Sequence, residues 1–230
     1  MSGNDSQVAD RIRLVVESLK ARHDADDLGN KDDPLDEIIY IVLSSRTRGQ
    51  VFGKTYDQLR AKYPDWQQLL DAAVPEVALA LAGEGLQDKK AAWIHGLLEC
   101  VASDRGCLDL RFLDDLPTEE AERYLVSLPG VGPKTARCVL MYSLGRPVFP
   151  VDANAFRLMQ RLGILPPEMT YRQSHDVAQE LVPPDLRKDL HVYAVIHGRT
   201  VCLPRNPQCE KCVLAPSCDH AQGRSPDRAT

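Results

Sequence analysis

Nine consecutive residues, Leu128-Pro129-Gly130-Val131-Gly132-Pro133-Lys134-Thr135-Ala136, leave the backbone few choices. Two prolines remove amide donors and two glycines flank one valine, so neither a continuous helix nor a central strand can run through the segment. Glycine on either side of Val131 lets the turn enter the φ > 0 region and point its amides outward. Pro133 is pre-set for the first position of a following helix, which places Lys134 in that helix's first turn. Glu119 to Ser127, just before, has helical periodicity, so the chain is expected to fold here as helix, tight hairpin, helix. Outward amides at a helix start can clasp a phosphate, with the lysine facing what lies beyond.

Helical periodicity extends over nearly the whole chain. Val8, Ile12, Val15, Val16 and Leu19 recur at helix spacing; after an Asp/Gly/Asn-rich break, Asp33-Pro34 supplies an N-cap and a first-turn proline ahead of Leu35, Ile38, Ile39 and Val42. Val51, Phe52, Tyr56 and Leu59 mark a helix stopped at Tyr63-Pro64, Asp65 caps one carrying Trp66, Leu69 and Leu70, and Pro75 starts a short one. Lys89 to Val101 reads as a longer helix with Ala92, Trp93, Leu97 and Val101 in the core. Past the hairpin, helices over Thr135 to Leu144, Asp152 to Leu162, Tyr171 to Leu181 and Asp185 to Val201 stop at Gly145, Gly163, Pro183-Pro184 and a cysteine-rich segment. No segment alternates with period 2, so the fold class is all-α. With 230 residues, 43% of them hydrophobic, the chain can bury one large core or two smaller ones. No run reaches the roughly 18 apolar residues of a membrane span, and Met1 to Asp10 is no leader peptide. A cytoplasmic monomer without a membrane partner is expected.

Four of the seven cysteines, Cys202, Cys209, Cys212 and Cys218, are spaced Cys-x6-Cys-x2-Cys-x5-Cys. Thiolates so close along the chain can converge on one centre, and the spacing alone leaves zinc, an iron–sulfur cluster and disulfides open. Cys100, Cys107 and Cys138 are expected to be buried free thiols. His175, His191 and His197 are read as core or surface residues, because the cysteines already complete a set of four ligands. The net charge of −5 argues against a nucleic-acid partner only if charge is spread evenly. Between Gly130 and Cys212, however, eleven Lys/Arg face seven Asp/Glu, so a basic face is compatible with an acidic whole, and affinity for phosphate should then be salt-sensitive.

The hairpin, followed by Val151-Asp152-Ala153-Asn154-Ala155-Phe156-Arg157, resembles the helix-hairpin-helix DNA glycosylases that carry a Gly/Pro-rich loop and a downstream aspartate, and within them the endonuclease III branch. The resemblance runs from Pro34 to Cys218. It implies a helical-barrel domain with the hairpin, residues 28–148, inserted between parts of an iron–sulfur cluster domain, residues 1–27 and 149–218, with an active-site cleft between the two; residues 219–230, polar and with Gly223, Ser225 and Pro226, are expected to be a disordered tail. The resemblance also implies that the four cysteines hold a 4Fe-4S cluster.

Of function, the resemblance implies a bifunctional DNA glycosylase and AP lyase of base excision repair, acting on damaged pyrimidines in duplex DNA. Lys134 is then the nucleophile and Asp152 the carboxylate that stabilises charge at the anomeric carbon or accepts a proton. Gly130, Val131 and Gly132 hold a phosphate. Gly85-Leu86-Gln87-Asp88-Lys89-Lys90 is similar to the loop whose leucine wedges into the duplex, which makes Leu86 the wedge; a core leucine is the plainer reading. Leu43-Ser44-Ser45-Arg46-Thr47 resembles the segment that reads the orphaned base, with Arg46 where the family has glutamine, and Asn154 replaces a common histidine. Arginine prefers guanine edges, so a glycosylase for uracil or thymine opposite guanine is the alternative within the class. A non-catalytic DNA-binding or redox-sensing module is the alternative outside it. Arg199 and Arg205, beside the cysteines, could touch phosphate or cluster sulfur.

Overall fold

The computed structural model describes residues 3–24, 28–45, 51–83 and 85–224, and among them every regular element is helical, as the periodicity predicts. None of these helices is long and apolar enough to cross a membrane. The chain divides into two compact units, residues 29–146 and residues 1–28 with 147–230.

In the first unit the organising element is α2 (Pro34–Ser44). Asp33 caps it by accepting from the amides of Leu35 at 2.9 Å and Asp36 at 3.1 Å, and Pro34 occupies the first turn. Nine of its eleven residues are buried, as for a helix apolar on all sides, because α3 (Val51–Lys62), α6 (Gln87–Arg105) and α8 (Pro133–Tyr142) all pack against it. Asp65 caps the short α4 (Trp66–Asp71), and Trp66 Nε1 donates to Asp36 Oδ1 at 2.7 Å. Next come α5 (Val74–Ala80), on α6, and α7 (Thr118–Ser127), on α8.

Two charged side chains among the described residues of this unit have no exposed surface at all. Lys90, on α6, is fully buried and donates from Nζ to the carbonyl of Leu43 at 2.6 Å, setting a cation at the negative end of α2. Glu37, on α2, is also fully buried and accepts from Asn30 Nδ2 at 2.5 Å and the amide of Lys31 at 2.7 Å, so it fastens the loop before the helix. Burial pushes its carboxyl up to about 7 against those two hydrogen bonds and the fields of Lys134 and Lys31.

The core stripe of α6 differs from the expected one. Ala91, Ile94, Leu97, Leu98 and Val101 are fully buried, whereas Ala92 is exposed and Trp93 half-buried. The reason is the hairpin: a Cβ on Gly130 would lie 2.5 Å from Trp93 Cγ, so the indole covers the turn instead of filling the interior. Among the remaining cysteines only Cys138 is buried; Cys100 is half-buried and Cys107 exposed, at the loop that ends α6.

The second unit packs α1 (Gly3–Arg22), α9 (Ala153–Arg161), α10 (Tyr171–Leu181) and α11 (Arg187–Thr200) around Ile12, Val15, Val16, Leu19, Leu158, Leu162 and Ala194. Thr170 opens α10 with a reciprocal capping box to Gln173. Asp219 to Arg224, expected to begin a frayed tail, instead turn back on the unit. The His220 amide donates to the Arg161 carbonyl at 3.0 Å, Asp219 pairs with Arg224 at 3.0 Å and Arg11 at 3.7 Å, and a Cβ on Gly163 would collide with Asp219 Oδ2.

A carboxyl whose value rises from 4.5 unfolded to about 7 folded takes up a proton on folding, so its contribution is full below about 4.5 and is lost as pH climbs through 7. Between pH 4.5 and pH 8 the stability of the wild type should therefore fall relative to Glu37→Gln by roughly 3 kcal/mol. Urea unfolding of both proteins across that range checks this; parallel curves would refute it.

Candidate catalytic residues and cysteine centre

The hairpin forms between α7 and α8. Gly130 takes φ +76°, and Val131 turns inward, buried, with its amide donating to the Leu128 carbonyl at 3.2 Å. Gly132 departs from the expectation of two left-handed glycines: its φ of −108° suits any residue, and a Cβ there would meet nothing within 4 Å. Gly130 is thus demanded by the fold, while Gly132 leaves open backbone at the mouth of a helix. Pro133 occupies the first turn of α8 and Lys134 follows, half-buried, its ammonium within the electrostatic reach of Glu37.

Leu86 is the N-cap residue of α6 with φ 66°, a left-handed conformation that costs a non-glycine residue about 1–2 kcal/mol. Its side chain is 38% exposed, so the core reading does not hold. An exposed apolar side chain held in a strained turn is a feature that packing does not require. Arg46 lies outside the described residues.

In the second unit Asp152 is the N-cap of α9, its Oδ1 accepting from the Ala155 amide at 2.7 Å. Its other oxygen accepts from Asn154 Nδ2 at 2.7 Å. Asn154 Oδ1 in turn accepts from Arg157 at 2.9 Å, and the same guanidinium donates to the carbonyls of Gly198 at 3.0 Å and Cys202 at 3.0 Å. Burial lowers Arg157 from the usual arginine value against the pull of Cys202. The carboxylate is therefore fixed in orientation and half-buried, with both oxygens engaged.

Cys202, Cys209, Cys212 and Cys218 line one small cavity together with Leu158, Leu162 and Leu214. Among the described residues no three His, Cys, Asp or Glu side chains converge on a point that one metal ion could occupy. Four cysteines on one cavity are the soft donors that zinc or an iron–sulfur cluster takes. Burial pushes the thiols of Cys209 and Cys212 up, a cost that coordination to metal removes.

Arg199 and Arg205 are exposed. It is Arg161, on α9, that donates to Cys202 Sγ at 3.3 Å, its two terminal nitrogens also donating to the carbonyls of Leu203 and Pro204. His191 and His175 are buried away from the cysteines' cavity lining, His191 Nδ1 lying 2.7 Å from the Pro150 carbonyl. His197 is different: fully buried, it has Nε2 3.3 Å from Cys212 Sγ and Nδ1 2.9 Å from His23 Nε2. Burial, with the fields of His23 and Arg22, pulls it down to about 4. The sequence signals for Arg161 and His197 were present only as polar residues at buried helical positions.

A profile for the HhH-GPD superfamily base excision DNA repair protein matches residues 39–184. Endonuclease III of Thermotoga maritima is 32% identical over 217 residues, covering 94% of either chain. Two Arabidopsis thaliana proteins are also 32% identical over 86% and 68% of this chain, which spans only 64% of the length of the first and 12% of the second, DNA glycosylase/AP lyase ROS1. Among solved structures, a trapped endonuclease III–DNA covalent intermediate superposes with a TM-score of 0.81 at 25% identity, over 94% of this chain and 98% of that one. With more than half of its length inside the profile, and with a bacterial endonuclease III matched almost end to end, the chain belongs to the HhH-GPD superfamily of base excision DNA repair proteins.

Proposed function

We propose that the protein is a bifunctional DNA glycosylase and AP lyase that removes damaged, chiefly oxidised, pyrimidines from duplex DNA. Lys134 carries this reading: a primary amine in the first turn of a helix, directly behind the open backbone of Gly132. An endonuclease III trapped as a covalent intermediate on DNA supports a mechanism that passes through a bond between protein and DNA.

The amides of Gly130 and Gly132 and of the first turn of α8, with Val131 shaping the turn between them, hold a backbone phosphate at the positive end of the helix dipole. A stacked base is out of reach, so the damaged nucleotide is extruded, and Leu86 fills the space it leaves. Arg46 contacts the base opposite. Lys134 Nζ attacks C1′, the glycosidic C–N bond breaks and the base departs protonated. The opened sugar is then held as a Schiff base. Loss of a C2′ proton expels the 3′ phosphate, which cuts the strand and leaves the chain end on Lys134 until water releases it. Asp152, with both oxygens pinned by Ala155 and Asn154, cannot swing away and stabilises the positive charge that builds at C1′. Cys202, Cys209, Cys212 and Cys218 would hold a 4Fe-4S cluster. When bound, such a cluster braces the C-terminal turns and can store one electron.

Incubation with a duplex containing an abasic site or thymine glycol, followed by borohydride, should trap a covalent adduct that Lys134→Ala abolishes while DNA binding stays within a few-fold. Binding without any adduct would leave the chain a non-catalytic module. The purified protein should contain about four irons and little zinc by elemental analysis. Leu86→Gly should be no less stable than wild type, because relief of about 1–2 kcal/mol of strain offsets the entropy of glycine. It should nonetheless release a damaged base from duplex DNA about tenfold more slowly. Melting temperature and single-turnover rates measure the two effects, and an unchanged rate would remove Leu86 from the DNA-handling surface.

A further inference from the structure

We propose that His23 and His197 form a two-ring hydrogen-bond relay that ends on Cys212 Sγ and raises the reduction potential of the iron–sulfur cluster. The inference rests on the reading that the four cysteines hold such a cluster. Its geometry lies wholly inside the second unit. His197 projects from α11, fully buried, between Cys212 Sγ at 3.3 Å and His23 Nε2 at 2.9 Å. The two rings meet edge to face, centroids 5.2 Å apart at 70°. His23 directly follows α1, half-buried, its amide donating to the Leu19 carbonyl at 2.9 Å, so the outer ring is carried by a helix end.

A neutral imidazole has one donor and one acceptor nitrogen, and only one hydrogen fits between two nitrogens 2.9 Å apart. Two arrangements therefore exist. In one, His23 Nε2–H donates to His197 Nδ1, and His197 must carry its own hydrogen on Nε2, aimed at the sulfur. In the other the chain runs outward and sets the Nε2 lone pair of His197 against Cys212. A metal-bound thiolate is an acceptor, so it selects the first arrangement, and His23 holds the inner ring in that tautomer. An N–H···S bond to a ligand sulfur favours the more negative, reduced cluster and so raises its potential. Arg161 does the same for Cys202 from α9, but its donor is fixed by covalent structure, whereas the donor on Cys212 depends on a partner 174 residues away in sequence.

Purely structural histidines would fill space and leave the potential alone. His197→Phe keeps an aromatic ring and removes the donor; His23→Phe removes only the hydrogen bond that fixes the tautomer. On cluster-loaded protein, an optical redox titration should show His197→Phe lowering the reduced-to-oxidised ratio at a given potential on the order of tenfold, about 59 mV for a one-electron couple. His23→Phe should move it in the same direction by less, and the double variant should shift no further than His197→Phe alone. Iron content is measured alongside. Full iron with unmoved potentials in both single variants, or additive shifts in the double one, overturns the relay while leaving the cluster reading intact. A wild-type protein without iron overturns the cluster reading and the relay together. Should His197→Phe fail to fold, His23→Phe, at a half-buried position, decides by itself.

Discussion

One guanidinium holds the second unit's functional parts in register. Arg157 donates to Asn154 Oδ1, to the carbonyls of Ala153, Gly198 and Cys202, and thereby joins the start of α9 to the end of α11 and to the first of the four cysteines. Taking a cation out of water is costly unless its donors are met, and here the acceptors come from three separate places in the chain. Gly198 permits this: a Cβ there would lie 2.6 Å from Asn154 Cβ and 2.9 Å from an Arg157 nitrogen. Asp152 is oriented through the same set, because the Asn154 amide that gives Asp152 a hydrogen is held by its oxygen to Arg157. The aspartate's position is thus a property of the packed helices rather than of its own rotamer.

The first unit reaches a comparable end through close approach and strain. Trp93 lies so near Gly130 that no side chain fits, which fixes the turn ahead of Lys134. Leu86 holds a left-handed backbone that its neighbours do not require for packing. Both are expenses in folding that leave a small, rigid set of groups at loop positions, where recognition is usually found.

Most of the helical framework was legible from local chemistry. Asp33 and Asp65 sit as caps, Pro34 and Pro133 stand in first turns, and apolar spacing marks α1 and α2, because each of these signals depends on residues within a turn of one another. Lys134, Asp152 and the four cysteines could be singled out because they lie in short motifs. What stayed hidden was every partnership between distant segments. His23 and His197, Arg161 and Cys202, Lys90 and Leu43 are polar residues whose meaning comes from a contact that no local window contains. The stripe on α6 was misjudged for the same reason, since only the position of Gly130 explains why Trp93 leaves the interior. Gly132 shows the converse: its sequence context matches Gly130, yet its backbone is ordinary.

Lys90 carries a mechanical implication. Its backbone amide bonds to the Leu86 carbonyl at 2.9 Å, and its side chain bonds to the Leu43 carbonyl at 2.6 Å. A single residue therefore welds the entrance of one helix to the exit of another. The exposed leucine is thereby tied, through two hydrogen bonds of one lysine, to the carbonyl end of a helix with nine of its eleven residues buried.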